Sequence, residues 1–216
     1  MPIYPLDDKL IFPPPEESEP DGLLAFGGDL SSERLLLAYR SGIFPWFEDD
    51  IPLWWSPDPR FVLYPEELKI SKSMKQLFKK EMFRFTINTA FAEVISNCRK
   101  VDREGQSGTW ITKDMEQAYL ELHQLGHAHS AEAWLGNRLV GGCYGIRMGK
   151  AYCGESMFSL VSNASKYAFI SYALLLKEES ISFIDCQVYT PHLESLGARP
   201  VPRKHFLEQL RNALKG

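Results

Sequence analysis

The hexapeptide FIDCQV, residues 183–188, decides how the C-terminal two-thirds of this chain is read. It is short and mostly apolar, which predicts a buried strand. Strand side chains alternate faces, so Phe183, Asp185 and Gln187 are expected together, with the last two roughly 7 Å apart, and Ile184, Cys186 and Val188 opposite. An acid beside an amide in a buried strand is either a polar bridge within the sheet or a working pair. Those six residues leave both open.

Working outward, the preceding segment NASKYAFISYALLLKEE (163–179) has helical character. Before it come three strand-like runs, AHSAEAWL (128–135), RLVGGCYGIRM (138–148) and KAYCGESMF (150–158). Turn signals at Gly136-Asn137 and Gly149 separate them, which predicts an antiparallel meander. Hairpins, a helix and then a further central strand resemble the order of an acyltransferase-type α+β domain of the GNAT kind. Upstream, SKSMKQLFKK (71–80), TAFAEVISNCRK (89–100) and TKDMEQAYLELHQLG (112–126) read as helices and FRFTIN (83–88) as a strand. The third helix should carry Met115, Ala118, Tyr119, Leu122 and Leu125 on one stripe and stop at Gly126. A turn-rich piece and a last helix close the chain.

Residues 1–61 differ in kind. FPPPEESEPDG is expected to be extended, because each proline removes a donor and restricts its predecessor. SSERLLLAYRSG predicts a short helix capped by Ser31 or Ser32 and stopped by Gly42. IFPWFEDDIPLWWSPDPR is read as irregular. The expected organisation is therefore a small N-terminal α+β or irregular domain, 1–61, preceding a catalytic domain, 62–216, with a mixed sheet and flanking helices.

Of the 216 residues, 44% are hydrophobic and 24% charged, which suits a soluble globular protein. No apolar run is long enough to cross a bilayer, and MPIYPLDDKL lacks the pattern of a secretory leader. The net charge of −4 excludes nucleic-acid binding through a general positive field, so any such binding must use a local patch. Cys98, Cys143, Cys153 and Cys186 have no ligand-like spacing and read as reduced, buried thiols of a cytoplasmic protein. His123, His127 and His129 do not form a metal motif, since Gly126 interrupts the helical spacing; no metal and no cofactor is expected.

Three further groups carry candidate chemistry. On strand 150–158, alternation places Ala151, Cys153, Glu155 and Met157 on one face, with Tyr152, Gly154, Ser156 and Phe158 on the other. Glu155 beside Met157 suits a ligand with an ammonium next to an apolar side chain, or is a strand-end acid in water. On helix 71–80, Lys72, Lys75 and Lys79 share one side with Lys80 nearby, opposite Met74, Leu77 and Phe78. That is either a solvated face or a phosphate-binding one. Trp46 in FPWF and Trp110 in SGTWIT either plug a joint or stack nucleobases.

The ordered strings GLLAFGGDLS, GIFPWF, LWWSPDPR, GTWIT, LGHAHSAEAW, LVGGCYG, CGESMFS, NASK and IDCQV resemble the leucyl/phenylalanyl-tRNA–protein transferase family, from about residue 10 to about 207. The resemblance implies a GNAT-like C-terminal domain that transfers Leu, Phe and, less well, Met from aminoacyl-tRNA to proteins beginning with Arg or Lys. The product is marked for degradation by an ATP-dependent protease. It further implies that Trp46 and Trp110 hold the terminal adenosine and that Glu155 lies near the donor α-amine. Asp185 and Gln187 would form the catalytic pair, and Lys72, Lys75, Lys79 and Lys80 the tRNA-binding face. Met157, Cys143 and Tyr152 would line the amino-acid pocket, Cys143 standing where relatives carry Met or Leu and Tyr152 where they carry Phe. A monomer is expected. On this reading Gln187 accepts a hydrogen bond from the incoming amine, and Asp185 orients Gln187 and stabilises charge on the nitrogen. Two rivals are a CoA-dependent N-acyltransferase, whose glycine-bearing pyrophosphate loop is missing from SLVSNASK, and a non-catalytic tRNA-binding module.

Overall fold

The computed structural model describes residues 3–101 and 111–215. The chain begins with β1 (Tyr4–Leu6), β2 (Leu23–Gly27), α1 (Ser32–Arg40), β3 (Phe44–Pro45) and β4 (Leu53–Trp55). The four strands form one small sheet in the order β1-β2-β4-β3. Residues 43–60, read as irregular from sequence, therefore contain pairing strands. They are only two or three residues long, so no alternation could show in the sequence. Ser31 caps α1 by accepting from the Arg34 amide. Gly42 follows the helix at φ +76°, and a Cβ there would lie 2.4 Å from Leu207 Cδ2, so the site demands glycine twice over.

The rest of the chain supplies β5 (Arg60–Leu63), α2 (Lys72–Lys79), β6 (Arg84–Ile87), α3 (Phe91–Lys100) and α4 (Lys113–Gln124). Then come β7 (Ala128–Leu135), β8 (Arg138–Met148), β9 (Ala151–Ser159), α5 (Ala164–Glu178), β10 (Phe183–Gln187), α6 (Pro191–Ser195), β11 (Arg199–Val201) and α7 (Arg203–Ala213). Seven strands form the second sheet, ordered β11-β5-β10-β9-β8-β7-β6. The β7-β8-β9 meander is antiparallel, and β10 returns through α5 to lie parallel to β9, as the sequence order predicts. The architecture is α+β with mixed pairing and flanking helices.

Two apolar clusters pack this sheet. One joins Leu24, Leu35 and Trp54 of the N-terminal part to Ile146, Phe158 and Phe206, so a continuous core spans both sheets. The other gathers Ala168, Ile170 and Ala173 of α5 with Met74 of α2 and Ile184 of β10. On α4 the stripe Met115, Ala118, Tyr119 and Leu122 is buried as expected, but Leu125 is exposed, because the helix ends at Gln124 and the chain turns into Gly126 at φ +83°. No helix of the described residues is long and apolar enough to cross a membrane.

Candidate active site

Two irregularities in neighbouring strands build the site. In β10 the register against β5 shifts between Asp185 and Gln187. Gln187 takes φ +63°, and the Val188 amide donates to Cys186 O at 2.7 Å, closing a γ-turn around Gln187. In β9 the register shifts so that Tyr144 pairs with Ser156 and Gly145 with Gly154, leaving Glu155 as the extra residue of a bulge. Bulges break face alternation, and both expected face assignments fail here.

Asp185 and Gln187 do not share a face. Phe183 and Asp185 face the core that contains Phe206, whereas Gln187 joins Ile184 and Cys186 on the wall of a cavity of about 440 Å³. Likewise Met157 lies with Tyr152, lining that cavity opposite Cys143 across the β8–β9 pair, and Phe158 joins Ala151 and Cys153 in the other cluster. The cavity brings together Trp46, Cys143, Tyr152, Glu155, Met157 and Gln187, residues from four separate strings of sequence.

Asp185 lies beneath this cavity, only 1% exposed. Its Oδ1 accepts from Arg60 Nε at 2.8 Å and from the Gln187 backbone amide at 2.9 Å, and its Oδ2 accepts from Arg60 Nη2 at 2.8 Å. Arg60 in turn donates to Gly42 O and sits between the Phe44 and Phe206 rings, 4.7 and 4.6 Å from their centroids. The carboxylate therefore orients Gln187 through its main chain, not side chain to side chain, and holds it in a left-handed conformation that costs on the order of 1–2 kcal/mol.

Glu155 has different company. Its Oε1 accepts from Gln187 Nε2 at 2.9 Å and its Oε2 from Tyr119 Oη at 2.9 Å, and Tyr119 is hydrogen-bonded to Tyr39 of α1. Burial pushes Glu155 up to about 7, and the Tyr119 and Gln187 hydrogen bonds oppose that rise. Because the carboxylate takes the Gln187 NH₂ group, the Gln187 carbonyl oxygen is turned away from it. Burial also raises the Cys143 and Cys186 thiols far above neutral pH, so neither supplies a thiolate nucleophile.

Trp46 is 37% exposed at the cavity edge, its ring against Trp55 at 5.7 Å and its carbonyl accepting from Trp55 Nε1. Trp110 lies outside the described residues. Lys72, Lys75, Lys79 and Lys80 are exposed on α2 and its cap, while Met74 is buried and Phe78 stacks on Tyr167. They do not line the cavity.

Comparison with known proteins decides the family. Residues 62–211 match the family model described as leucyl/phenylalanyl-tRNA protein transferase, and residues 28–58 match the N-terminal domain of the same. This chain belongs to the leucyl/phenylalanyl-tRNA protein transferase family. A protein of that name from Flavobacterium johnsoniae is 56% identical over 211 residues, covering 97% of this chain and 100% of that one. Another from Syntrophus aciditrophicus is 51% identical, covering 100% and 90%. Among solved structures, L-PGS from Bacillus licheniformis aligns at TM-score 0.43 and 13% identity, over 80% of this chain and 57% of that one.

Sequence reasoning missed Arg60, Tyr119 and Tyr39 as parts of the site. Arg60 ends the segment read as irregular, just after two prolines in SPDPRF, and its partner lies 125 residues away. Tyr119 was recognised only as a buried stripe residue. A phenol on an otherwise apolar stripe is the one available signal, since a buried hydroxyl needs a partner.

Proposed function

We infer that this chain is an aminoacyltransferase that moves a leucyl or phenylalanyl group from tRNA to a protein acceptor. The observation that carries the mechanism is Gln187, locked by Glu155 through its NH₂ group and by Asp185 through its main chain, with its carbonyl left for another donor. An acceptor α-amine, with an ordinary pKa near 8, is partly neutral at pH 7. Its N–H donates to Gln187 Oε1, which aims the nitrogen lone pair at the ester carbonyl. The new C–N bond forms, the C–O bond to the tRNA 3′-oxygen breaks, and the amine proton leaves with that oxygen. No covalent enzyme intermediate is needed, because alignment alone is worth about 7–11 kcal/mol.

Ionised Glu155 takes the donor's own ammonium, which anchors the donor and keeps its amine from attacking. The apolar part of the cavity, with Met157, Cys143 and Tyr152, receives the donor side chain. Trp46 and Trp110 hold the terminal adenosine, and the lysines of α2 meet tRNA phosphates. Acceptors begin with Arg or Lys, and the enzyme acts as a cytoplasmic monomer in marking them for degradation. Residues 1–61 form the small domain and 62–216 the catalytic one.

The test is direct. Purified protein is mixed with charged Leu-tRNA or Phe-tRNA and a reporter beginning with Arg, Lys or Ala. Label is expected on the Arg and Lys reporters only. Acetyl transfer from acetyl-CoA, or tRNA binding without transfer, would replace this reading.

A further inference from the structure

His192 is a polar side chain in the cavity wall to which none of the steps above gives a task. It follows Thr190 and Pro191 at the start of α6, five residues after Gln187. Its Nε2 is buried and has no hydrogen-bond partner among the described residues. Leaving a buried ring nitrogen unpaired costs roughly 1–3 kcal/mol, so an unpaired one in a substrate cavity marks a place where a ligand atom completes the bonding. Burial and the Lys166 ammonium push the imidazole down to about 4, so it is neutral in use, with one nitrogen donating and the other accepting.

Of the other polar groups lining the cavity, Thr190 Oγ1 caps α6 by accepting from the Leu193 amide and Gln187 Nε2 is on Glu155. Tyr152 Oη is likewise buried without a hydrogen-bond partner among the described residues, but it lies against Gly145 in the apolar wall beside Tyr172, where the donor side chain goes. If Trp46 holds the adenine and Glu155 the donor ammonium, with the ester carbonyl within reach of the amine on Gln187, the ribose must lie between Trp46 and Glu155, in the same cavity that His192 lines. A group able to donate and accept at once matches a neutral imidazole, and the ribose hydroxyl next to the ester is such a group.

We propose that His192 hydrogen-bonds the free 2′-hydroxyl of the terminal ribose of aminoacyl-tRNA and so fixes the 3′-ester for attack. This inference rests on the transferase reading above and adds to it a contact that distinguishes an RNA end from a deoxyribose end. His192 is a binding and positioning residue; it takes no proton.

The experiment compares charged tRNA ending in adenosine with the same tRNA ending in 2′-deoxyadenosine, on wild type, His192→Ala and His192→Asn. Wild type is expected to lose about tenfold in kcat/KM on the deoxy substrate, as for one hydrogen bond. His192→Ala is expected to lose about as much on the native substrate and nothing further on the deoxy one. His192→Asn, whose amide also donates and accepts, should recover part of the loss on the native substrate alone. Equal loss on both substrates in His192→Ala marks a purely structural role and overturns the proposal. So does wild type that treats the two substrates alike, a result that stands even if His192→Ala does not fold. Wild type that transfers from neither substrate sinks the transferase reading itself.

Discussion

Two carboxylates, Asp185 buried and Glu155 half-buried, lie on either side of strand β10, and they are built for opposite purposes. Asp185, beneath the strand, has a guanidinium bonded to both its oxygens and a backbone amide on one of them. Glu155, in the cavity above, meets neutral donors among the described residues, the Tyr119 phenol and the Gln187 amide with Tyr39 beside them, and burial lifts it to about 7. A charge paired with a charge is spent on structure. A charge surrounded by neutral dipoles is left short of a cation, and a substrate ammonium is what completes it.

The sharpest way to break the contrast is to remove Arg60. Arg60→Met leaves Asp185 buried and unpaired, and a loss of about 3–5 kcal/mol in urea unfolding is expected. If stability is unchanged, Asp185 is not the structural member of the two. Adding Asp185→Asn to that variant should recover much of the loss.

Gln187 connects the two regions. Gln187→Ala should lower turnover by about 10²-fold, with the Kd for charged tRNA held within a factor of a few. Loss of tRNA affinity in place of turnover would move Gln187 from aiming the nucleophile to holding the donor.

Glu155→Gln tests the other side through pH. The folded-state value lies above the unfolded one near 4.5, so the wild-type penalty is absent below that pH, grows up to about 7 and is complete above it. The variant should therefore be the more stable protein at pH 8, by on the order of 2 kcal/mol, and not at pH 4. It should also bind the donor weakly at every pH, whereas wild-type kcat/KM for donor falls as pH drops below about 7. Parallel unfolding curves at both pH values would mean that Glu155 is not held short of charge compensation.

The smallest effect belongs to Tyr119→Phe. It removes a hydrogen bond that favours the charged form of Glu155, so the pH midpoint should move upward by less than about one unit, with the sign as the test.

Much of this was visible in the sequence where periods are long. The β7–β9 meander, α5 and the late strand follow from alternation, turn residues and helical spacing, and the buried stripe of α4 appears as predicted up to its last member. The ordered strings contain Trp46, Cys143, Glu155, Met157 and Gln187, and the fold brings those residues to one cavity with Tyr152. Face assignments failed in β9 and β10, because a bulge exists only against a partner strand, and nothing inside CGES or DCQV shows the register of its neighbour.

What this chain determined by itself is which residues carry chemistry and in what order of elements they arrive, since composition and periodicity act locally along the backbone. Tertiary structure alone decided that Asp185 would be neutralised by an arginine 125 residues away while Glu155, among the described residues, would meet a phenol and an amide. Charge compensation depends on distance in space and on exclusion of water, and both come into being only when the sheets close on one another.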